Sequence, residues 1–243
     1  MYMEKTKFER FISKYNLGGA CESVLYAVEN KTITTRAISD DKNVLCEVTA
    51  PSMGMAEGNY AVYETAKLRS LLGVLGETLK VSIRKSSNKP VGIEFSDGTT
   101  DITFVLADAS VIPTVPDLKK LPPMDLTITM DEQFINTFVK AKGALNEVDT
   151  FTVMSDGENN TAQVILGYSS LNTNRVKIKA TTTAPVALDA ISFSAKYLRE
   201  ILVANKDTKG GQLEISSKGL AKTTFTSDGI TSTYYLVQIN TKD

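Results

Sequence analysis

Apolar residues recur at helical spacing in four stretches of the chain, separated by segments rich in β-branched and aromatic residues. A repeat of three to four residues places one apolar stripe along a helix, whereas alternation is typical of a half-buried strand. The pattern therefore predicts four amphipathic helices with strands between them. The stripes are Phe8, Phe11, Ile12 and Tyr15; Leu68, Leu71, Leu72 and Leu75; Phe134, Ile135 and Phe138; and Leu198, Ile201 and Leu202.

The first and third helices carry the same predicted start signal. Residues 6–9 (TKFE) fit a capping box, in which Thr and Glu side chains bond each other's backbone amides, and residues 129–132 (TMDE) repeat it 123 positions later. Gly18-Gly19 is expected to end the first helix, and Gly143 the third. The shift of 123 matches three apolar pairs, Phe11 with Phe134, Ile12 with Ile135 and Tyr15 with Phe138.

The second and fourth helices also resemble each other. Residues 66–72 read AKLRSLL and residues 195–202 read AKYLREIL, and a β-rich tail follows each. Both tails contain Ser-Asp-Gly, at residues 96–98 and 227–229, which predicts a hairpin turn in each. Each half of the chain thus reads as helix, strands, helix, strands, and the fold class is α+β with a duplicated module.

A proline-rich segment separates the halves. Residues 109–124 (ASVIPTVPDLKKLPPM) hold four of the seven prolines, which disfavour helix interiors and central strands. We interpret the chain as domain one at residues 1–108, a connector at 109–124 and domain two at 125–243. A single β domain with a proline-rich surface loop is the alternative.

Basic residues concentrate on the polar faces of the helices. The windows 1–16, 64–76, 131–142 and 194–209 carry net charges of +2, +1, 0 and +2, so the rest of the chain carries −6. Such segregation suits a protein that meets phosphate on one surface, although ordinary solvated helix faces remain an alternative. The candidate DNA-binding residues are Lys7, Arg10, Lys14, Lys67, Arg69, Lys140, Lys142, Lys196, Arg199 and Lys206.

Signals for catalysis are missing from the sequence. There is no histidine, no Walker-type phosphate loop, no strand–GxGxxG–helix unit and no nucleophile elbow. No ligand spacing supports a metal site, and Cys21 and Cys46 are expected to be reduced thiols. We therefore expect a protein that is not an enzyme and needs no cofactor. Without a signal sequence or an apolar run of about 20 residues, it is expected in the cytoplasm, away from membranes.

Residues 193–239, FSAKYLREILVANKDTKGGQLEISSKGLAKTTFTSDGITSTYYLVQI, resemble the C-terminal quarter of DNA sliding clamps. The duplicated module resembles both the proliferating cell nuclear antigen family and the T-even phage clamps, and the compact first domain is more similar to the phage proteins. The resemblance implies a homotrimeric ring around duplex DNA, with helices inside and sheets outside. Its implied partners are DNA of any sequence, a replicative DNA polymerase and an ATP-driven clamp loader, in a bacterial or phage-infected cytoplasm.

The resemblance also implies two protein-binding regions. Subunits would join by pairing strand edges around Ile102, Phe104 and Leu106 of one copy with Val176, Ile178 and Ala180 of the next. Partner peptides would occupy an apolar pocket near the connector, although buried core is the alternative for each residue. The pocket residues are Ile38, Val44, Val111, Val115, Leu118, Leu220, Tyr235 and Val237.

Two other classes of function remain open from the sequence. A duplicated β-rich structural or carrier protein would show the same repeat and the same absence of catalytic residues. An enzyme that uses carboxylates alone is a more distant third. The assembled mass separates the first of these from a ring, because a carrier does not require three chains.

Overall fold

The computed structural model describes residues 2–118, 120–171 and 173–240, which form two compact units. The first comprises residues up to 40, then Cys46–Pro116 and Thr226–Ser232, and the second comprises Asp41–Leu45, Asp117–Phe225 and the residues from Thr233 onward. The main division falls at Pro116, inside the predicted connector. That connector contains one 3₁₀ turn, Ala109–Val111, and otherwise no helix or strand among its described residues. The domain bounds 1–108 and 125–243 stay a prediction.

Among its described residues, the first half of the chain contains two α-helices and eight strands. The helices are α1 (Lys5–Asn16) and α2 (Thr65–Leu72). The strands are β1 (Tyr2–Glu4), β2 (Val24–Glu29), β3 (Thr32–Ile38), β4 (Val44–Pro51), β5 (Gly58–Val62), β6 (Thr78–Ser86), β7 (Lys89–Ser96) and β8 (Asp101–Val105). Their sheet orders are β1-β6-β7-β8 and β5-β2-β3-β4.

The second half repeats this plan. Its helices are α3 (Glu132–Ala144) and α4 (Ala195–Ala204). Its strands are β9 (Leu126–Asp131), β10 (Thr150–Asp156), β11 (Thr161–Leu166), β12 (Val176–Thr181), β13 (Ala187–Ser194), β14 (Gly210–Ser216), β15 (Leu220–Ser227) and β16 (Ile230–Val237). Their orders are β12-β11-β10-β13 and β16-β15-β14-β9, with antiparallel pairing in the registers described. The predicted α+β class and the predicted duplication are confirmed.

Apolar helix stripes form the core of each unit, as the periodicity predicts. In the first unit the α1 aromatics stack with one another and pack on Tyr26 and Phe95 from the sheets. In the second, Phe138 of α3 meets Phe151, which in turn contacts Phe193. Each buried aromatic contributes about 2 kcal/mol through the hydrophobic effect. Packing of this stripe therefore fixes which side of each helix faces outward.

Both predicted capping boxes are wrong, because neighbouring strands set where the helices begin. Strand β1 pairs with β6 and runs directly into α1, so Thr6 lies inside the first turn. Its amide and hydroxyl both donate to the carboxylate of Glu77, at 2.9 and 2.8 Å. Thr129 lies within β9, and Asp131 caps α3 instead by accepting from the amide of Phe134 at 2.7 Å.

The Glu77 cap makes the stability of α1 depend on pH. The hydrogen bonds from Thr6 lower the pKa of Glu77. A lowered folded-state pKa gives stability that is present above the unfolded value, about 4.3, and lost as pH falls through the folded value. Glu77→Gln should therefore lower the urea midpoint at pH 7, and its difference from the parent should shrink below about pH 4. Glu64→Gln is the control, since the Glu64 side chain makes no capping bond; an equal effect there would contradict this role for Glu77.

Candidate nucleic-acid interface

Each unit presents basic residues on a pair of packed helices. Helix α1 packs on α2, and α3 packs on α4. Because each apolar stripe is turned into the core, most of the candidate cations stay in contact with solvent. Exposed are Arg10, Lys67, Arg69, Lys140, Lys196 and Lys206, and half-buried are Lys7 and Arg199.

Lys14 was predicted as a DNA-binding residue, and the structure contradicts this. Its side chain is only 1% exposed, although it follows Lys7 by two helical turns. Its neighbours Tyr15 and Asn16 are buried as well, so the last turn of α1 lies inside the unit. The ammonium group of Lys14 is therefore not part of an exposed phosphate-binding surface.

The predicted role of Lys142 in DNA binding is also wrong, because this lysine has a structural role. It is 8% exposed, and its ammonium donates to the carbonyl oxygens of Leu145 and Asn146, at 3.4 and 2.8 Å. A cation at a helix C-terminus satisfies carbonyls that have no partner within the helix. This cap accompanies a helix that continues past Gly143 to Ala144, whereas the sequence predicted a stop at that glycine.

The buried positions of α1 and α3 also correct the predicted offset of 123 residues between the two repeats. The four buried residues of α3 match buried positions of α1 when the shift is 126 rather than 123. Lys142 then corresponds to Asn16, whose amide donates to the carbonyl of Cys21 at 3.0 Å. Both side chains donate hydrogen bonds to backbone carbonyls of the segment that follows their helix. A shift of three residues is close to one helical turn, so the apolar stripe alone could not distinguish the two registers.

Replacing each lysine of α3 in turn should show which of them stabilises the fold. Lys142→Met removes the ammonium and leaves its carbonyls unpaired, so we expect a loss of about 1–2 kcal/mol in the free energy of unfolding. Lys140→Met changes an exposed residue nearby on the helix and should alter stability by less than about 0.5 kcal/mol. Urea unfolding followed by circular dichroism measures both. Equal stabilities for the two variants would rule out the capping role.

Two of the candidate arginines are held by carboxylates. In the first unit, Nη1 of Arg10 lies 2.5 Å from Oδ2 of Asp228, which stands at the tip of the β15–β16 hairpin. On α4, Nη1 of Arg199 lies 2.5 Å from Oε1 of Glu200. The sequence predicted the arginines as phosphate contacts and placed Asp228 only in a turn. Its pairing with Arg10 joins residues 218 positions apart, which no local pattern indicates.

The strands assigned to subunit contacts end their sheets. Strand β8 is the last in β1-β6-β7-β8, and β12 the first in β12-β11-β10-β13, in the part of the chain described. Their alternate side chains Phe104, Leu106, Ile178 and Ala180 are buried in their own units, while Ile102 and Val176 are half-buried. A groove of about 490 Å³ lies beside β12, under the first turns of α3. The apolar side chains at these edges therefore belong mainly to their own units, and pairing with another copy stays a prediction.

Residues assigned to the peptide pocket differ in exposure. Val44 is fully buried, which contradicts its place in the wall of an open pocket. Strand β16 alternates, with Tyr234 and Leu236 inside and Tyr235 and Val237 outside. Among the others, Val111 and Leu118 are exposed, and Ile38, Val115 and Leu220 are half-buried. Near the connector, Nη2 of Arg36 donates to the carbonyl of Pro116 at 2.6 Å, an interaction that the sequence did not predict.

Reactive groups are few in the described residues. No cluster of three or more Cys, Asp or Glu side chains there suits a metal ion. Cys21 and Cys46 are buried free thiols, and their mutual hydrogen bond together with burial raises the pKa of Cys46 well above its usual range. The protonated thiol is a poor nucleophile. Among the described helices, none is both long enough and apolar enough to cross a bilayer.

Two solved structures are similar to the chain over its full length. One, described as the C-terminal region of FEN-1 bound to A. fulgidus PCNA, has 13% identity and a TM-score of 0.76, with 100% of this chain and 98% of that chain covered. The other, Proliferating Cellular Nuclear Antigen from Entamoeba histolytica, has 12% identity and a TM-score of 0.76, with 98% of each chain covered. No protein-family model and no curated protein matches the sequence. The chain therefore has the fold of the PCNA sliding clamps, and the resemblance in its C-terminal quarter extends to its whole architecture.

Proposed function

We propose that the protein is a DNA sliding clamp that encircles duplex DNA and confers processivity on a replicative DNA polymerase. The observation that carries the proposal is the similarity in fold to PCNA along the entire chain. Exposed basic residues on the helices of both units support it. The protein acts as a scaffold, without catalytic activity or a cofactor, in the cytoplasm of a bacterial or phage-infected cell.

The eight accessible cations are the proposed DNA-binding residues: Lys7, Arg10, Lys67, Arg69, Lys140, Lys196, Arg199 and Lys206. Lysine and arginine contacts to the phosphate backbone carry no sequence information. When the ring moves, each phosphate that a cation leaves is followed by an equivalent phosphate, which permits sliding. The acidic remainder of the chain disfavours binding of DNA elsewhere. Enclosure of the duplex, rather than high affinity, would retain the protein.

Enclosure requires a closed assembly, which we propose is a homotrimer. Three copies of a chain with two clamp domains and a connector at residues 109–124 supply six domains and twelve helices. Strand β8 of one copy would pair with β12 of the next in a head-to-tail interface that repeats until the ring closes. This pairing removes two free sheet edges per chain, which otherwise favour aggregation. An ATP-driven loader would open one such interface.

A tether for partner proteins completes the proposal. The PCNA structure above is described as bound to the C-terminal region of FEN-1, and we propose that this chain receives a comparable segment of its polymerase. Seven of the predicted pocket residues remain candidates for that site: Ile38, Val111, Val115, Leu118, Leu220, Tyr235 and Val237.

A processivity assay on circular and linear templates tests the function. With its loader and polymerase, the protein should lengthen products on primed circular DNA, and it should be lost from linear DNA with free ends. Equal retention on both templates would contradict enclosure. If native mass shows a single chain and products are not lengthened, a structural or carrier protein becomes the better interpretation.

A further inference from the structure

Asp228 occupies a turn that brings its carboxylate against α1. Strand β15 ends at Ser227 and β16 begins at Ile230, so the hairpin loop consists of Asp228 and Gly229. Both have positive φ, 50° and 76°, which is the type I′ geometry of two-residue hairpins. The hairpin tip belongs to the same compact unit as α1. Its carboxylate is therefore fixed in place by the turn as well as by the ion pair.

The corresponding Asp97 in the first half has a different role. Its carboxylate accepts from the backbone amides of Gly76, Thr99 and Thr100, at 2.8, 2.9 and 2.8 Å. These hydrogen bonds lower the pKa of Asp97 and leave it engaged within its own neighbourhood. The same tripeptide thus closes a loop in one half and binds a cation in the other. Pairing with Arg10 is specific to Asp228 and not a general property of the motif.

Arg10 is also one of the proposed phosphate-binding residues, so a phosphate and Asp228 compete for one guanidinium. The side chains are 44% and 60% exposed, which leaves the pair open to an approaching polyanion. Surface pairs of this kind are weak, and DNA can displace the carboxylate. On α4 the carboxylate that pairs with Arg199 comes from its sequence neighbour Glu200 rather than from a distant hairpin.

We propose that Asp228 weakens the grip of the ring on DNA by competing with phosphate for Arg10, a proposal that rests on the proposed clamp function. A weaker hold favours sliding, because every step along the duplex requires each cation to leave one phosphate for the next. The carboxylate of Asp228 thus lowers the affinity of a surface whose task is to enclose DNA rather than to stay at one position.

Asp228→Asn tests this with little risk to the fold. Asparagine is favoured in type I′ turns and tolerates positive φ, so the hairpin should form while the negative charge is removed. The probe is a short linear duplex of random sequence, and its binding is followed by fluorescence anisotropy over a range of salt concentrations. We expect about two- to fivefold tighter binding. The slope of log affinity against log salt should steepen by up to about one per arginine released.

Two comparisons make the test specific. In an Arg10→Ala background, Asp228→Asn should leave duplex affinity unchanged, because the guanidinium for which phosphate and carboxylate compete is gone. Glu29→Gln removes the same charge from an exposed position at the end of β2 and should leave binding unchanged. Equal tightening in the Arg10→Ala background, or none in the parent, overturns the proposal.

Failure of this inference can be told apart from failure of the clamp function. If Arg10→Ala does not weaken duplex binding, Arg10 does not bind phosphate and the role of Asp228 is excluded. Retention of the parent on circular DNA would still support the ring in that case. Loss of retention on circular DNA would instead contradict the clamp function, whatever the short duplex shows.

Discussion

Reversing the charge of Lys7, Arg10 and Arg199 together is expected to shorten the time that the protein stays on circular DNA by at least about tenfold, because each missing cation forfeits the counterion release that drives phosphate binding. In a trimer the change affects nine positions of the inner surface and replaces attraction with repulsion. All three side chains are accessible to solvent, so the fold should persist. Product length in the loader-dependent polymerase assay gives the readout, and it should approach that of polymerase alone.

The matched control reverses three exposed lysines outside the helices, Lys42, Lys85 and Lys89. This variant has the same net charge as the first, so it corrects for long-range electrostatic effects. Near-parental processivity is expected. If the helix variant gave products as long as those of the parent, the assignment of the basic helix faces to DNA would be wrong.

Charge reversal at the β12 edge is expected to convert the proposed trimer into single chains. The exposed side chains of β12 include Lys177 and Lys179, whereas those of β8 include Asp101. Opposite charges on two strands that pair are mutually stabilising, and like charges directly opposite are destabilising. Lys177→Glu with Lys179→Glu would place acids against the acid of the neighbouring copy. Native mass spectrometry should then show one chain of 26.4 kDa instead of three.

Adding Asp101→Lys to that variant should restore part of the trimer, since the charges become opposite again. Reversal of Lys85 and Lys89, which lie at the β6–β7 hairpin, serves as the control and should leave the mass unchanged. A variant that remains trimeric after reversal at Lys177 and Lys179 would show that this edge is not the interface. A parent that is a single chain at micromolar concentration would contradict the ring itself.

Several features of the fold were predictable because they depend on residues that are close together in the sequence. Helical periodicity at Phe8, Phe11 and Tyr15 places an aromatic stripe in the core, and the structure buries all three. The repeated Ser-Asp-Gly predicts hairpin turns, and the structure has strands on either side of each copy. Alternation in β16 predicts that Tyr235 and Val237 share one face, and the structure places both opposite the buried Tyr234 and Leu236. Each of these depends on backbone geometry and burial within a few residues, so sequence spacing carries the information.

Predictions failed where a distant segment competes with a local signal. The capping box predicted at Thr6 does not form, because the Thr6 amide donates instead to the carboxylate of Glu77. This residue lies just before β6, 71 residues further along the chain. Lys14 has the spacing of a surface cation, yet only 1% of it is exposed. The failure at Lys142 has a local cause instead, because its ammonium donates to carbonyls three and four residues further along the chain. Spacing indicates on which face of a helix a residue lies, but not what later covers that face.

Periodicity and charge are properties of short segments, so the amino-acid order was enough to specify the class of fold, the duplication and the basic character of the helix faces. Three-dimensional packing was needed to establish which cations stay accessible, which strands end their sheets and which carboxylate holds Arg10. Those properties arise when segments far apart in the chain pack together. A side chain there exchanges water for whichever partner the fold brings, and its final partner is the one whose hydrogen bonds or charge best offset the loss of hydration.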